Sequence, residues 1–443
     1  MTRRKEMFEE INQDLLGFLD SSPTSFHAVE NMKHMLERAG CQRLMEGRHW
    51  ELKKGVGYYV TRNDSSLIAF RVPEKNFLGF QIMAGHSDSP ALKIKANAEL
   101  LVEKKYVRLN VEKYGGMLCA PWLDRPLSVA GRVVVRTLDG VESRLVNVDR
   151  DLLIIPNLAI HMNRKVNEGY EFNAQRDLLP LFGGEEAADG FMKVVAEAAK
   201  VGTEEILDMD LFLYNRMKGT LLGMNREFIA APRLDDLQCV FASLKGFLEA
   251  APGRSVPVHC VLDNEEVGSS TKQGADSTFL KDVLQRINSA MGRGQEEYLT
   301  ALASSFMVSA DNAHSVHPNQ PDKADPVNRP FMNEGIVIKY SANQKYTTDA
   351  VSGAVFKAIC EKAEVPYQVF FNRSDMVGGS TLGNISNSQV ALNTVDIGLP
   401  QLAMHSCYET AGAKDTLYLA EAARVLYSSS VCGDGDGAYR MVW

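Results

Sequence analysis

The chain has 443 residues, 45% of them hydrophobic and 23% charged, with a formal net charge of −8. That is ample apolar material for a core and more length than one ordinary domain needs, so two domains, or one split by an insertion, are expected. The acid excess, with no Lys/Arg cluster, argues against a nucleic-acid partner, and no stretch approaches the roughly 18 apolar residues that span a bilayer.

Residues 5–20 and 23–39 read as helices. In the first, Glu6, Glu9, Glu10 and Asp14 interrupt the apolar positions, the pattern of an amphipathic helix rather than a signal peptide. Ser22-Pro23 supplies a cap and a first-turn proline for the second, and Gly40 a stop. "GYYVTRNDSSLIAFRV" reads as two strands joined at Asn63-Asp64, and "FLGFQIMAG" as a third ending at His86. From about Leu92 to Gly223 the chain turns to short alternating stretches separated by turn residues, the pattern of an antiparallel β domain, with "FGGEEAADG" as an exposed loop. After Asp235, strands ("VPVHCVL", "SSFMVSA", "GIVIKYS", "YQVFFN", "NTVDIG") alternate with helices, among them one whose apolar face carries Leu237, Val240, Phe241, Leu244 and Phe247. The expected fold is therefore α/β: a mostly parallel central sheet flanked by helices, built from residues 1–92 and 224–443, with a β-rich domain inserted at 93–223. The seven cysteines are odd in number and scattered without a C-x-x-C, which suits a reducing cytoplasm and argues against a cysteine-only zinc site.

Polar residues gather where apolar strands end. They are His86 and Asp88 in "AGHSDSP", Asp235 and Asp236 in "APRLDDLQ", Glu265 and Glu266 in "DNEEVGSS", Asp311, His314 and His317 in "SADNAHSVHPN", and His405 and Glu409 in "LAMHSCYE". Singly, each has an ordinary reading as a helix cap, a turn former or a buried histidine. Jointly they can converge, because ligand sites of open α/β sheets form outside the carboxyl ends of the strands. Neighbouring carboxylates at a buried strand end raise each other's pKa unless cations compensate, and a divalent ion compensates most. Histidine with Asp/Glu and no cysteine suits zinc, with manganese or cobalt as alternatives. The donors exceed what one tetrahedral zinc needs, so two ions about 3.5–4 Å apart sharing one carboxylate use them economically. One glutamate of the 265–266 pair would then bind metal while the other stays free as general base. "DMVGGSTLG" lacks the order and the setting of a dinucleotide site.

Taken together, "GHSDSPALKIK", "PRLDDL", "DNEEVGS", "DNAHSVHPN", "GGSTLG" and "QLAMHSCYE" resemble the aspartyl aminopeptidase and vacuolar aminopeptidase I family of dinuclear zinc exopeptidases. The resemblance implies His86 and Asp311 as terminal ligands of one ion, Glu266 and His405 as those of the other, Asp235 (with Asp236 as rival) as the bridge, and Glu265 as general base. It implies that Asp88 orients the His86 imidazole, and that Lys339, His314, Gly378 and Gly379 line the substrate pocket, with His161 reaching a neighbouring subunit's site. It further implies that the inserted domain dimerises and that dimers assemble into a tetrahedral dodecamer. Asn328 departs from the histidine that some eukaryotic relatives carry there. The expected activity is a cytoplasmic metallo-aminopeptidase acting on short peptides, acidic first residues preferred. The alternatives are a preference for neutral residues such as Leu, a two-metal amidohydrolase acting on acylated amino acids, and a non-catalytic shell protein.

Overall fold

The computed structural model describes residues 2–74, 76–435 and 437–443. Its centre is a nine-stranded sheet in the order Gln42–Leu44, Gly57–Arg62, Ser66–Arg71, Val256–Leu262, Phe80–His86, Phe306–Ala310, Asn393–Gly398, Ile336–Tyr340, Tyr367–Phe371. The four central strands, from Val256–Leu262 to Asn393–Gly398, run parallel; antiparallel pairing flanks this group on both sides, and the outermost pair at each edge is parallel again. Alternation along each strand divides the core. Ile82 and Ala84 face one cluster with Phe279, Leu280, Val283, Leu284 and Ile287 of the helix Phe279–Ala290. Met83 faces the other, with Leu237, Phe241 and Phe247 of Leu234–Glu249 and Leu419, Ala423 and Leu426 of Asp415–Ser428. Each large side chain so buried contributes about 1.5–3 kcal/mol. Helices therefore cover both faces, and the carboxyl ends of the parallel strands open along one edge.

A separate six-stranded antiparallel sheet takes the order Val141–Asn147, Leu127–Arg136, Ile206–Asn215, Ala91–Val102, Tyr106–Tyr114, Leu181–Gly184. The strand Thr220–Leu222, inside the span expected for the insert, pairs instead with Phe228–Ala231 in a five-stranded sheet that also holds Glu409–Gly412, Pro400–Leu402 and Ala313–His314.

Local differences from the sequence reading have identifiable causes. The second helix begins at Ser25 with Thr24 as its cap position. The Ser22 hydroxyl instead accepts a hydrogen bond from Asn31 Nδ2 at 2.9 Å. Residues 182–184 of the expected loop belong to the strand Leu181–Gly184 on Tyr106–Tyr114, where Phe182 packs edge-on against Phe191. The helix Phe191–Ala199 lies within the β-rich stretch, burying Phe191, Val195 and Ala199 against the antiparallel sheet. No helix among the described residues is long and apolar enough to cross a membrane.

Candidate metal centre

Strand register brings the acids together. Leu262 pairs with His86 across parallel strands, so the turn carrying Glu265 and Glu266 leaves the sheet beside the His86–Asp88 turn. Asp311 follows the next strand directly, and Asp235 opens the helix Leu234–Glu249 with a non-helical φ/ψ of −81° and 109°. His405 lies between Pro400–Leu402 and Glu409–Gly412.

Three groups of donor atoms result, each within 4.8 Å: His86, Asp235 and Asp311; His86, Glu265 and Glu266; and Asp235, Glu266 and His405. Asp235 faces both histidines. Its Oδ1 lies 3.5 Å from His86 Nε2 and its Oδ2 3.5 Å from His405 Nε2. Glu266 Oε2 is 3.3 Å from the same His405 nitrogen. The geometry separates the two neighbouring aspartates. Asp236 belongs to none of the three groups, and its Oδ2 accepts the backbone N–H of His86 at 3.1 Å.

The donors fit divalent ions. Asp235 Oδ1 and Glu266 Oε1 are buried without a hydrogen-bond partner. His405 Nδ1 lies 2.7 Å from the Gly116 carbonyl, which only accepts, so Nδ1 carries a proton. In the neutral ring Nε2 then points a lone pair at two carboxylates, an arrangement that calls for a cation between them. Among the described residues, Lys339 is the one lysine or arginine in ion-pair contact with these acids, 3.7 Å from Asp311 Oδ1. The acids therefore exceed the charge available to balance them. Burial pushes the Glu265 carboxyl up to about 8. Burial, reinforced by Asp235, raises Glu266 well above the carboxylate range. Burial alone would raise Asp235 too, but the two imidazoles beside it, His86 foremost, hold it below its ordinary value.

A second layer of buried carboxylates holds the chain that carries the donors. Asp88 accepts the backbone N–H groups of Glu265 and Glu266 at 3.1 and 3.2 Å. Its own main-chain carbonyl lies closer to His86 Nδ1 (3.1 Å) than its carboxylate does (3.4 Å), so it orients that ring through its backbone as well as its side chain. Glu409, noted in the sequence without a role, accepts the N–H groups of Asp235 and His405 at 3.1 and 2.9 Å.

The remaining candidates belong to none of the three donor groups. Lys339 is buried and donates to the Asn312 carbonyl at 2.9 Å, so it is no solvated strand lysine. His314 is exposed on the rim, its ring 6.3 Å from that of Phe370. His317 sits in a turn, its Nδ1 accepting the Asn319 N–H at 3.2 Å. Gly378 and Gly379 precede the helix Leu382–Gln389, at whose start the Thr381 hydroxyl donates to Asp396 at 2.6 Å. His161 is exposed in the turn after Ile160 and bonds to none of the donors. Sequence reasoning passed over Tyr114 altogether, although its hydroxyl donates to Asp88 at 2.7 Å. The one signal was the glycine pair that ends its strand.

The profile of the aminopeptidase I zinc metalloprotease (M18) family matches residues 18–427. A curated relative from Clostridium acetobutylicum, named as a probable M18 family aminopeptidase 2, is 47% identical over 428 residues, covering 95% of this chain and 99% of that protein. A chain of a solved Ape4 and Nbr1 complex superposes with a TM-score of 0.92 at 36% identity, over 95% of this chain and 86% of that one. A solved S. cerevisiae mApe1 dodecamer superposes with a TM-score of 0.82 at 27% identity, over 95% of this chain and 98% of that one.

Proposed function

Because the chain belongs to the aminopeptidase I (M18) family of zinc metalloproteases, we propose that it removes the N-terminal residue from short peptides, acidic residues first, at a two-ion site bridged by Asp235. Membership makes it a zinc-dependent aminopeptidase. The observation that carries the finer reading is Asp235, whose two oxygens each face a different histidine. His86 and Asp311 would hold one ion, Glu266 and His405 the other. When bound, zinc supplies Lewis acidity, which lowers the pKa of water at the site and polarises a carbonyl oxygen.

The chain's own residues supply the rest. Glu265 is the acid of the pair left over from that assignment, which leaves it free to take a proton from water and return it to the leaving nitrogen. Asp88 fixes its backbone and that of Glu266. Lys339 has three N–H donors, of which the Asn312 carbonyl takes one, and it stands with His314 at the crevice beside Asp311 as a receptor for a substrate carboxylate. Gly378 and Gly379 would line the same pocket through their backbone. One observation favours the neutral alternative: the Lys339 ammonium is already shared between Asn312 and Asp311, and if that engagement persists, Leu is removed as readily as Asp.

Chromogenic Asp, Glu and Leu amides decide between the two. Acidic preference requires kcat/KM for Asp or Glu at least about tenfold above Leu, a discrimination within reach of a buried polar partner. Equal turnover removes it. N-acetylated substrates cleaved as fast as free-amine ones would sink the exopeptidase reading.

The mApe1 neighbour is a dodecamer, and we propose a dodecamer here too, tetrahedral in arrangement, its dimers formed through the inserted domain at 93–223. Leu101, Tyr106, Leu138 and Val141 expose large apolar surface on the antiparallel sheet, and Leu158, Ile160 and Met162 do so around His161. Light scattering should return twelve times the 49.0 kDa of one chain. A monomer at micromolar concentration would remove both the assembly and any role for His161 across subunits.

A further inference from the structure

We propose that the segment Tyr114–Leu118 ("YGGML"), where the antiparallel sheet meets the metal centre, positions the Glu266–His405 half of that centre. The inference rests on the two-ion reading above.

Five contacts carry it. The Tyr114 hydroxyl donates to Asp88 Oδ2 at 2.7 Å and accepts from Asn264 Nδ2 at 2.8 Å, joining the carboxylate that holds the 265–266 backbone to the residue that precedes it. Gly115, at a φ of +75°, lies against Glu266: a Cβ there would stand 3.1 Å from the Glu266 Cβ and 3.3 Å from its carbonyl oxygen. The Gly116 carbonyl takes the Nδ1–H of His405 at 2.7 Å. The Leu118 N–H donates to the His405 carbonyl at 3.0 Å.

The Gly115, Gly116 and Leu118 contacts act directly on Glu266 or His405, and Tyr114 acts on Glu266 through Asp88, which also faces His86. His405 is itself only partly covered, its side chain 34% exposed, and its φ of 67° is one that few non-glycine residues hold unaided. The carbonyl at Nδ1 sets the tautomer and the ring plane, leaving Nε2 free toward Glu266 and Asp235, the usual means by which an imidazole ligand is aimed. The strand Ile206–Asn215 and the turn Ala120–Trp122 add to the hold. Asn215 Nδ2 donates to the Cys407 carbonyl at 3.1 Å, and the Cys407 thiol to the Pro121 carbonyl at 3.0 Å. Tyr114 is in turn packed edge-on against Phe212 of the same sheet, with ring centroids 5.5 Å apart. The end of an antiparallel-sheet strand thus aims two donors that lie beyond the main sheet's own strands.

The test compares Y114F and G115A with Y170F, which removes a similar hydroxyl–carboxylate bond (Tyr170 to Asp177, 3.0 Å) elsewhere in the inserted span. Zinc release is titrated with a competing chelator, kcat and KM are measured on one chromogenic amide, and thermal midpoints are taken on metal-free protein. For Y114F the chelator concentration that removes the weaker ion should fall about 10–100-fold, with kcat falling in step and KM within about twofold. G115A should show the same signature, and Y170F should match wild type. Wild-type zinc retention in Y114F overturns the inference, and so does a lowered metal-free midpoint with zinc retention unchanged, because the hydroxyl would then serve folding alone. Wild-type protein that retains no zinc overturns the two-ion reading itself, a result distinct from either.

Discussion

At the residue scale the centre is a problem in charge. Asp235, Glu266 and Asp311 collect at one place with, among the described residues, a single buried lysine in contact, and their backbone N–H groups are bound by Glu409, Asp88 and the Ile397 carbonyl. Glu265 differs from its neighbour in what it is free to do. E265Q keeps nearly the same shape and keeps the backbone bond to Asp88, so we expect zinc content to stay at the wild-type value while kcat falls about 10²–10⁴-fold, the range that proton transfer contributes. Elemental analysis and steady-state kinetics on one preparation check both halves. Retained turnover would take the base role from Glu265. D235N, by contrast, weakens the one carboxylate that faces both histidines and should lower zinc retention itself, read by the same chelator titration.

At the element scale the parallel strands decide where the donors stand, and their spacing tolerates little. A Cβ on Gly398 would sit 2.0 Å from the Asp311 carbonyl oxygen and 2.9 Å from Ala313 N, both backbone atoms. G398A must therefore displace the strand end that carries Asp311. The expected cost is about 1–3 kcal/mol of stability, with kcat/KM reduced more than tenfold, checked by denaturant unfolding and kinetics. Unchanged kinetics would mean that the strand end moves without carrying Asp311 with it. Elements that periodicity did not reveal are those whose sequences argue weakly for themselves. "LGNISNSQ" is rich in Gly, Asn and Ser, poor helix formers, yet residues 382–389 are helical. The Thr381 hydroxyl bound to buried Asp396 anchors that start, a tertiary contact overriding local preference. Gln295–Ala303 buries only Tyr298 and Ala301 and shows no strong stripe.

At the scale of the whole molecule, ion binding and pH act on stability together. Ions that bind the folded chain stabilise it by mass action, about 2.7 kcal/mol at a hundredfold excess over Kd. A chelator should therefore lower the thermal midpoint by several degrees, reversibly on adding zinc. No shift would mean that the ions do not hold the fold. A second dependence comes from His259, far from the donors in the core beside Ser243. Burial takes its imidazole down from 6.5 to about 3. Between those values the unfolded chain binds a proton that the folded one refuses. The stability from this group is thus complete above pH 6.5 and is lost as pH falls toward 3, by up to about 1.4 kcal/mol per pH unit. H259Q should show a shallower fall of the thermal midpoint between pH 6.5 and 4 than wild type. An equal slope would assign the acid sensitivity to other groups.

The main strands along the chain, the acids at their ends and the family they resemble were all legible in the sequence, because burial imposes a period on apolar residues and because strand ends are marked by turn chemistry; the order of those strands in the sheet was not. What the chain alone could not separate was Asp235 from Asp236, since adjacent residues differ only in direction, and direction is set by the kinked entry to the helix Leu234–Glu249. Nor could it show that Tyr114 meets Asp88, 26 positions away, or that the Gly116 carbonyl meets His405, 289 positions on. Those contacts exist only where one sheet is laid against another, and no local pattern of side chains records the laying.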